Sequence, residues 1–417
     1  MKELRVIYRG GSEPFDLAIL ADDGRNVLFE YTPQALARRL ELSPINLRLR
    51  PQAYPDRQYQ YESMQRVPGL LHDALPDAWG YRVMASRMRA HHVDFATTST
   101  LERLAFLGER TMGALTFEPA SGDPANIQGA SLSELIDDYR ALITDESHIL
   151  LPEIARAGAS PGGARPKAMV WYRESDRQMT TGENALAGAE PWLVKFPADG
   201  DAEDSCALEA AYAEMARAAG LGFMPFQFFD LGSLGAFATK RFDLTASQRL
   251  HVHTLAGLLH ADFRVPSVGY GMFFRATRQL SRDVREVENA VRICIFNILM
   301  NNRDDHAKNV SFMMDAQGQW KLAPPYDLTY CPGYQGEHFM DVAGEGGNPG
   351  RDHVVHAAGE GGIAPARAEQ LVDEILQKAD SQAWRRAVSN YPVRPGTARD
   401  VGVRIEANRR MLQKRKA

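Results

Sequence analysis

The sequence predicts an α+β protein in two lobes, strand-rich and then helical, with a small subdomain ahead of them. Three observations carry this. Short apolar runs of strand length, Met169 to Tyr172, Trp192 to Phe196, Phe226 to Leu231 and Ala236 to Phe242, surround one Ala/Glu/Met-rich helical stretch at 205–219. Beyond 245 the periodicity becomes helical, with candidates at 247–260, 283–300, 365–377 and 380–389. The chain has 417 residues, more than the usual domain of about 100 to 150. We therefore expect a subdomain at 1–105, a strand-rich lobe at 106–245 and a helical lobe at 246–417.

Taken in order, Phe15 to Leu20 and Val27 to Phe29 flank Asp22-Asp23-Gly24, whose short polar side chains and glycine suit a tight hairpin turn. Thr32-Pro33-Gln34-Ala35 reads as a helix start. Leu70 to Gly80 combines apolar anchors with Pro76-Asp77, the pattern of two helices packing at a turn, and is read as structural. Leu115 to Phe117 reads as a strand and Leu132 to Ile143 as an amphipathic helix. The glycine-rich, basic stretch from Ala159 to Ala168 leads into the strand at Met169. Residues 341–364, rich in Gly, His and Asp, read as a long surface loop or short elements.

Composition narrows the function. With 44% hydrophobic and 24% charged residues the chain is an ordinary globular one, and 48 Lys plus Arg against 53 Asp plus Glu argue against a broadly basic nucleic-acid wrapper. Cys206, Cys294 and Cys331 are scattered, without ligand spacing, as expected in a reducing compartment without structural zinc. The N-terminus lacks a secretory h-region, and the apolar stretch at Ile293 to Met300 falls short of the roughly 18 residues a membrane span needs. A cytoplasmic protein without a membrane partner is the expectation.

The chemistry concentrates in Asn302-Arg303-Asp304-Asp305-His306-Ala307-Lys308-Asn309, directly after an apolar helix. Asp304 precedes Asn309 by five positions, the separation at which a phosphotransferase loop offers a carboxylate to the acceptor hydroxyl and an amide oxygen to magnesium. Val310 to Leu322 reads as a hairpin returning the chain to Pro325-Tyr326-Asp327, so Asn309 and Asp327 fall at the same end and are the candidate metal ligands. Lys195 in a strand and Glu209 in the next helix would supply a charge-fixed contact for nucleotide phosphates. Taken alone, 302–309 also reads as a capped surface loop, and His306 as loop support or as a buried structural histidine. Asp304, His306 and Lys308 form the candidate catalytic group. Asp305 is either solvent-facing or a further ligand. The loop Ser160 to Lys167 brings Gly162, Gly163 and Ala164 for close approach to phosphates and Arg165 and Lys167 for charge. No Walker-type Gly-Lys-Ser/Thr follows, and a plain structural turn is the alternative.

Together these segments closely resemble the HipA family of toxin serine/threonine kinases. The resemblance rests on Leu75-Pro76-Asp77 with Trp79-Gly80, the Gly108 to Gly113 segment, the Ser160 to Lys167 loop, Lys195, Glu209, Lys240-Arg241-Phe242-Asp243, the Asn302 to Asn309 loop and Tyr326-Asp327. It implies a bilobal protein-kinase-like fold with an extra N-terminal subdomain and an all-helical C-lobe. It further implies ATP and Mg2+ as cofactors, with Asp304 as the catalytic aspartate, Asn309 and Asp327 on magnesium and Lys195 on the nucleotide phosphates. Ser160 matches the serine that is autophosphorylated to silence the kinase, here followed by Pro161, which restricts it to extended geometry. The implied partners are a protein substrate and a small helix-turn-helix antitoxin, with operator DNA reached only through that antitoxin. A small-molecule kinase and a catalytically quiet corepressor are the competing readings.

Overall fold

The computed structural model describes residues 2–58, 62–121, 165–181, 187–198, 200–230, 235–245 and 248–415. The helix expected at 132–143, together with Ser160, Pro161, Gly162, Gly163 and Ala164, lies outside the described residues.

An antiparallel sheet opens the chain: β1 (Glu3–Tyr8), β2 (Phe15–Asp22), β3 (Val27–Tyr31), β4 (Tyr54–Pro55) and β5 (Leu115–Glu118), in the order β4-β3-β2-β1-β5. The predicted β2–β3 hairpin forms as its turn residues dictate. Gly24 takes φ 85°, and the Asp22 and Asp23 carboxylates accept the backbone N–H groups of Gly24, Arg25 and Asn26. Thr32 caps α1 (Pro33–Arg38) by accepting the Ala35 N–H. Helices α2 (Gly69–His72), α3 (Ala78–Ala90) and α4 (Thr100–Leu107) complete the subdomain, and their apolar faces join Leu17, Phe29 and Phe117 in one core. β5 pairs with β1, so residues 115–118 finish this first sheet, whereas the sequence reading begins the second lobe at 106.

The second sheet, order β7-β6-β8-β10-β9, is also antiparallel: β6 (Lys167–Arg173), β7 (Gln178–Thr180), β8 (Glu190–Lys195), β9 (Phe226–Asp230) and β10 (Gly235–Lys240). α5 (Ser205–Ala218) packs on it through a small-residue face of Ala210, Ala211 and Ala213. Its Tyr212 hydroxyl donates to the Met300 carbonyl at 2.6 Å, tying this lobe to the next.

The C-terminal lobe contains α6 (Leu255–Leu259), α7 (Tyr270–Ser281), α8 (Val284–Met300), α9 (Arg351–Glu360), α10 (Pro365–Lys378), α11 (Ser381–Ser389) and α12 (Pro395–Gln413). It is helical as expected but not wholly so. The predicted hairpin, β12 (Ser311–Met314) and β13 (Trp320–Leu322), is extended by β11 (His251–Thr254), a strand where the sequence reading places the first turn of a helix at 247–260. Val252 and Thr254 are β-formers at period two, and the alternating His251 and His253 are both buried on the opposite face. Residues 351–360, within the stretch read as loop or short elements, form α9.

β11 is also the seam with the N-terminal subdomain. His251 Nε2 meets the Leu42 carbonyl at 2.9 Å, and His253 bridges Asp73 Oδ2 at 2.6 Å and Ser43 Oγ at 3.0 Å. Asp73 also accepts the Thr254 N–H and hydroxyl, both at 2.7 Å, and Thr254 caps α6. Asp73, His253 and Ser43 have the connectivity of a hydrolytic triad, but Ser43 and His253 are fully buried; the trio is a docking latch. α2 crosses α6 where a Cβ on Gly69 would stand 1.9 Å from the Gly257 carbonyl oxygen, so the approach requires glycine.

Candidate functional site

The site lies where the second sheet, α5 and the hairpin of the C-terminal lobe converge. Register pairs Lys167 of β6 with Lys195 of β8, so the two side chains project from the same face. The Lys195 ammonium donates to Glu209 Oε1 at 2.5 Å and to Asp327 Oδ1 at 2.7 Å. Burial alone would lower its pKa, but the two carboxylates override that and hold it above the usual lysine value. Burial likewise pushes Asp327 upward and is overridden by Lys195 and then Lys167, which keep its carboxyl well below the ordinary range. The Arg165 guanidinium adds a third cation, 3.0 Å from Asp201 Oδ2 and 3.8 Å from Glu209 Oε2.

Opposite stands the loop after α8. Asn301 ends that helix in the left-handed region, φ 54°, and donates to the Cys331 carbonyl at 2.9 Å, which fixes where the loop departs. Asp304 is exposed. Its pKa is nevertheless raised, first by the protein atoms that displace water around it and then by the Asp327 and Asp305 carboxylates, against the lowering effect of His306 and Arg165. Asn309 Nδ2 donates to the Asp304 carbonyl at 2.8 Å, closing the loop on itself. His306 Nε2 lies 3.8 Å from Asp304 Oδ1, and its ring packs between Phe263 and Phe339. The Lys308 ammonium sits over the Phe263 ring, 4.9 Å from its centre.

Asp305 resolves differently from both sequence alternatives: it faces neither solvent nor an ion. It is buried and accepts from the Tyr270 hydroxyl at 2.7 Å, His338 Nδ1 at 2.8 Å, and the Phe339 and Met340 N–H groups at 2.8 and 3.4 Å. One aspartate of the pair anchors the loop so that its neighbour can face the cleft. Tyr326 joins the hairpin ends, its hydroxyl reaching the Lys308 carbonyl at 2.9 Å and Ser311 Oγ at 2.6 Å. Asp327 then takes φ 56°, a left-handed conformation that aspartate tolerates better than most side chains.

Among the predicted residues the structure thus gathers Lys195, Glu209, Asp327, Arg165 and Lys167, with Asp304 facing them across the cleft. Asn309 spends its amide nitrogen inside the loop, which makes Oδ1 the atom it can offer a cation. Asp327 keeps Oδ2 beyond its bond to Lys195. Both are hard oxygens of the kind Mg2+ takes, so the donor chemistry fits that ion. Among the described residues no group of three or more His, Cys, Asp or Glu side chains is arranged for a metal. The sequence reading missed Asp201 and Asp77. Asp77, assigned to helix packing, caps α3 and places Oδ2 3.8 Å from the Lys167 ammonium. That contact joins positions ninety apart, and no local pattern signals it.

With this geometry in place, comparison with known proteins is informative. Residues 16–118 match the family model described as the HipA N-terminal domain, and residues 159–383 the HipA-like C-terminal domain. The chain belongs to the HipA family. Its kinase-like character in general terms follows from that membership. HipA architecture extends over the whole length: a chain of the Shewanella oneidensis MR-1 toxin–antitoxin complex of HipA, HipB and operator DNA superimposes with a TM-score of 0.73 at 17% identity, covering 98% of this chain and 97% of that one. A Helicobacter pylori proinflammatory kinase, CtkA, gives a TM-score of 0.43 at 13% identity over 56% of this chain and 90% of that one. In sequence, the Sinorhizobium fredii protein named "Putative kinase Y4dM" is 26% identical over 253 residues, 56% of this chain and 56% of that protein, so the match spans about half of that relative's length. No helix among the described residues is long and apolar enough to cross a membrane.

Proposed function

We propose that this chain is an ATP- and Mg2+-dependent protein serine/threonine kinase, the toxin of a toxin–antitoxin pair, and that it silences itself by phosphorylating Ser160. The observation that carries the reading is Lys195, buried and held between Glu209 and Asp327 across the cleft from Asp304. Such a lysine is fixed in direction and permanently charged, as a contact for nucleotide phosphates must be. Arg165 and Lys167 add charge on the same wall. Bound magnesium, held by Asn309 and Asp327, would neutralise charge on the phosphates. Asp304 orients the acceptor hydroxyl and takes its proton, and the pKa-raising surroundings of this carboxylate favour that role. His306 and Lys308 support the loop from its aromatic side. A helix-turn-helix antitoxin, and operator DNA through it, are the proposed partners, in keeping with the composition of the S. oneidensis complex. The proposed location is the cytoplasm.

The test is intact-mass and peptide mass spectrometry after incubation with Mg2+ and ATP, comparing the parent with Asp304→Asn and Ser160→Ala. A gain of roughly 80 Da on Ser160 in the parent, absent from both variants, is expected. An initially unmodified parent that binds ATP and gains nothing would overturn self-silencing at Ser160. Failure to phosphorylate protein substrates as well would overturn the kinase reading.

A further inference from the structure

Asp77 belongs to the N-terminal subdomain, yet its side chain ends in the nucleotide cleft. It is the N-cap of α3, and that duty occupies Oδ1, which accepts the Gly80 N–H at 3.1 Å. Oδ2 does no capping. It is buried without a hydrogen-bond partner, and it points toward the Lys167 ammonium at 3.8 Å. The side chains are 8% and 2% exposed, so each charge is compensated inside the protein and not by solvent. Two residues further on, the Trp79 indole N–H donates to the Lys167 carbonyl at 3.2 Å, so the start of α3 grips Lys167 by its backbone and faces it with a carboxylate. An N-cap is served equally well by Asn or Ser. Capping accounts for Oδ1 and the helix dipole favours a negative charge there, but neither accounts for Oδ2 being turned to the Lys167 ammonium.

The charge has a use because Lys167 is the cross-strand neighbour of Lys195. Two like charges on one sheet face repel, and Lys195 already has two carboxylates while Lys167 lies toward α3. We propose that Asp77 is a positioning residue of the nucleotide site, holding the Lys167 ammonium at a fixed spacing from Lys195 so that a polyphosphate meets two directed cations. The proposal rests on the nucleotide-dependent reading above and extends it: the N-terminal subdomain contributes to phosphate binding through Lys167. Ligands of the class concerned are nucleoside di- and triphosphates, not nucleosides.

The test is calorimetric titration of the full chain with Mg·ATP, Mg·ADP and adenosine, for the parent, Asp77→Asn, Asp77→Ser, Lys167→Met and the Asp77→Asn/Lys167→Met double variant. Both Asp77 variants retain a capping side chain, and melting curves check that each folds. The expected result is about tenfold weaker binding of Mg·ATP and Mg·ADP by both Asp77 variants, with adenosine unchanged, as loss of one buried charge pair implies. The double variant should bind no more weakly than Lys167→Met alone, because Asp77 acts through Lys167. Unchanged phosphate binding in a folded Asp77 variant, an equal loss for adenosine, or losses that multiply in the double variant would each overturn it. A parent that binds none of the three ligands would remove the kinase reading and this inference together, whereas a parent that binds Mg·ATP but transfers no phosphoryl group would leave the inference standing.

Discussion

Two adjacent aspartates should give opposite phenotypes when replaced. Asp305→Ala removes the acceptor from three well-formed hydrogen bonds, those of the Tyr270 hydroxyl, His338 Nδ1 and the Phe339 N–H, all within 2.7 to 2.8 Å and inside the C-terminal lobe. The longer bond from the Met340 N–H contributes less. Asn297 donates to the Tyr270 hydroxyl, so that bond survives, but the hydroxyl's own proton is left without an acceptor, as are the ring nitrogen and the backbone N–H. At about 1 to 3 kcal/mol for each of the three stranded buried donors, the loss is at least about 3 kcal/mol. For a cooperative unit of this lobe's size that corresponds to a fall in Tm of about 10 °C. Asp304→Asn, at an exposed position, should leave the melting curve within about 2 °C of the parent while abolishing phosphoryl transfer. Paired thermal melts and transfer assays read both. An Asp305→Ala protein that melts with the parent, or an Asp304→Asn protein as unstable as Asp305→Ala, would refute the division of labour.

Lys195→Met should abolish nucleotide binding and cost about 3 kcal/mol in a urea titration, because it leaves the buried Glu209 carboxylate, among the described residues, with the more distant Arg165. Gly69→Ala should destabilise the α2–α6 crossing by about 3 kcal/mol, since its new methyl meets the Gly257 backbone and not a movable side chain; unfolding midpoints equal to the parent's would count against that crossing. Burial lowers the pKa values of His72 and His260 to about 4 and of His251 to about 3, from 6.5. Because the unfolded chain takes up protons there that the native protein does not, the stability these residues supply is full above about pH 6.5 and is lost as pH falls toward 4, at about 4 kcal/mol per pH unit for three protons. Urea midpoints should therefore drop steeply between pH 6 and 5; a flat profile would mean that these rings are not held neutral.

What the sequence disclosed follows from how local each signal is. The β2–β3 turn, the α1 cap, α8 and the β12–β13 hairpin depend on neighbouring residues and were readable as such. The proximity of Asp304, Asn309 and Asp327 was readable too, because a loop, a hairpin and a return fix their separations; their chemical roles belong to the proposal above. β11 was misread because a four-residue strand running directly into a helix has no punctuation of its own. α9 was hidden by glycine and histidine content in a helix stabilised by its packing against α7 and α10. Asp305 and Asp77 could not be assigned from neighbours at all: the first is defined by His338 and Tyr270, the second by Lys167, and each partner reaches it only through the folded chain.

The seam at β11 bears on whether the two halves can be exchanged. α6, within the span that matches the C-terminal family model, begins at a threonine whose N–H and hydroxyl are both taken by Asp73, a residue of the N-terminal span. The strand before it turns two histidines into that same N-terminal span. Separating the halves would expose a buried carboxylate on one side and two buried imidazoles on the other, so neither could be exchanged with a foreign counterpart unless the matching surface came with it. A change at Leu42, Ser43, Gly69 or Asp73 therefore has to be accommodated at His251, His253, Thr254 or Gly257 across the seam.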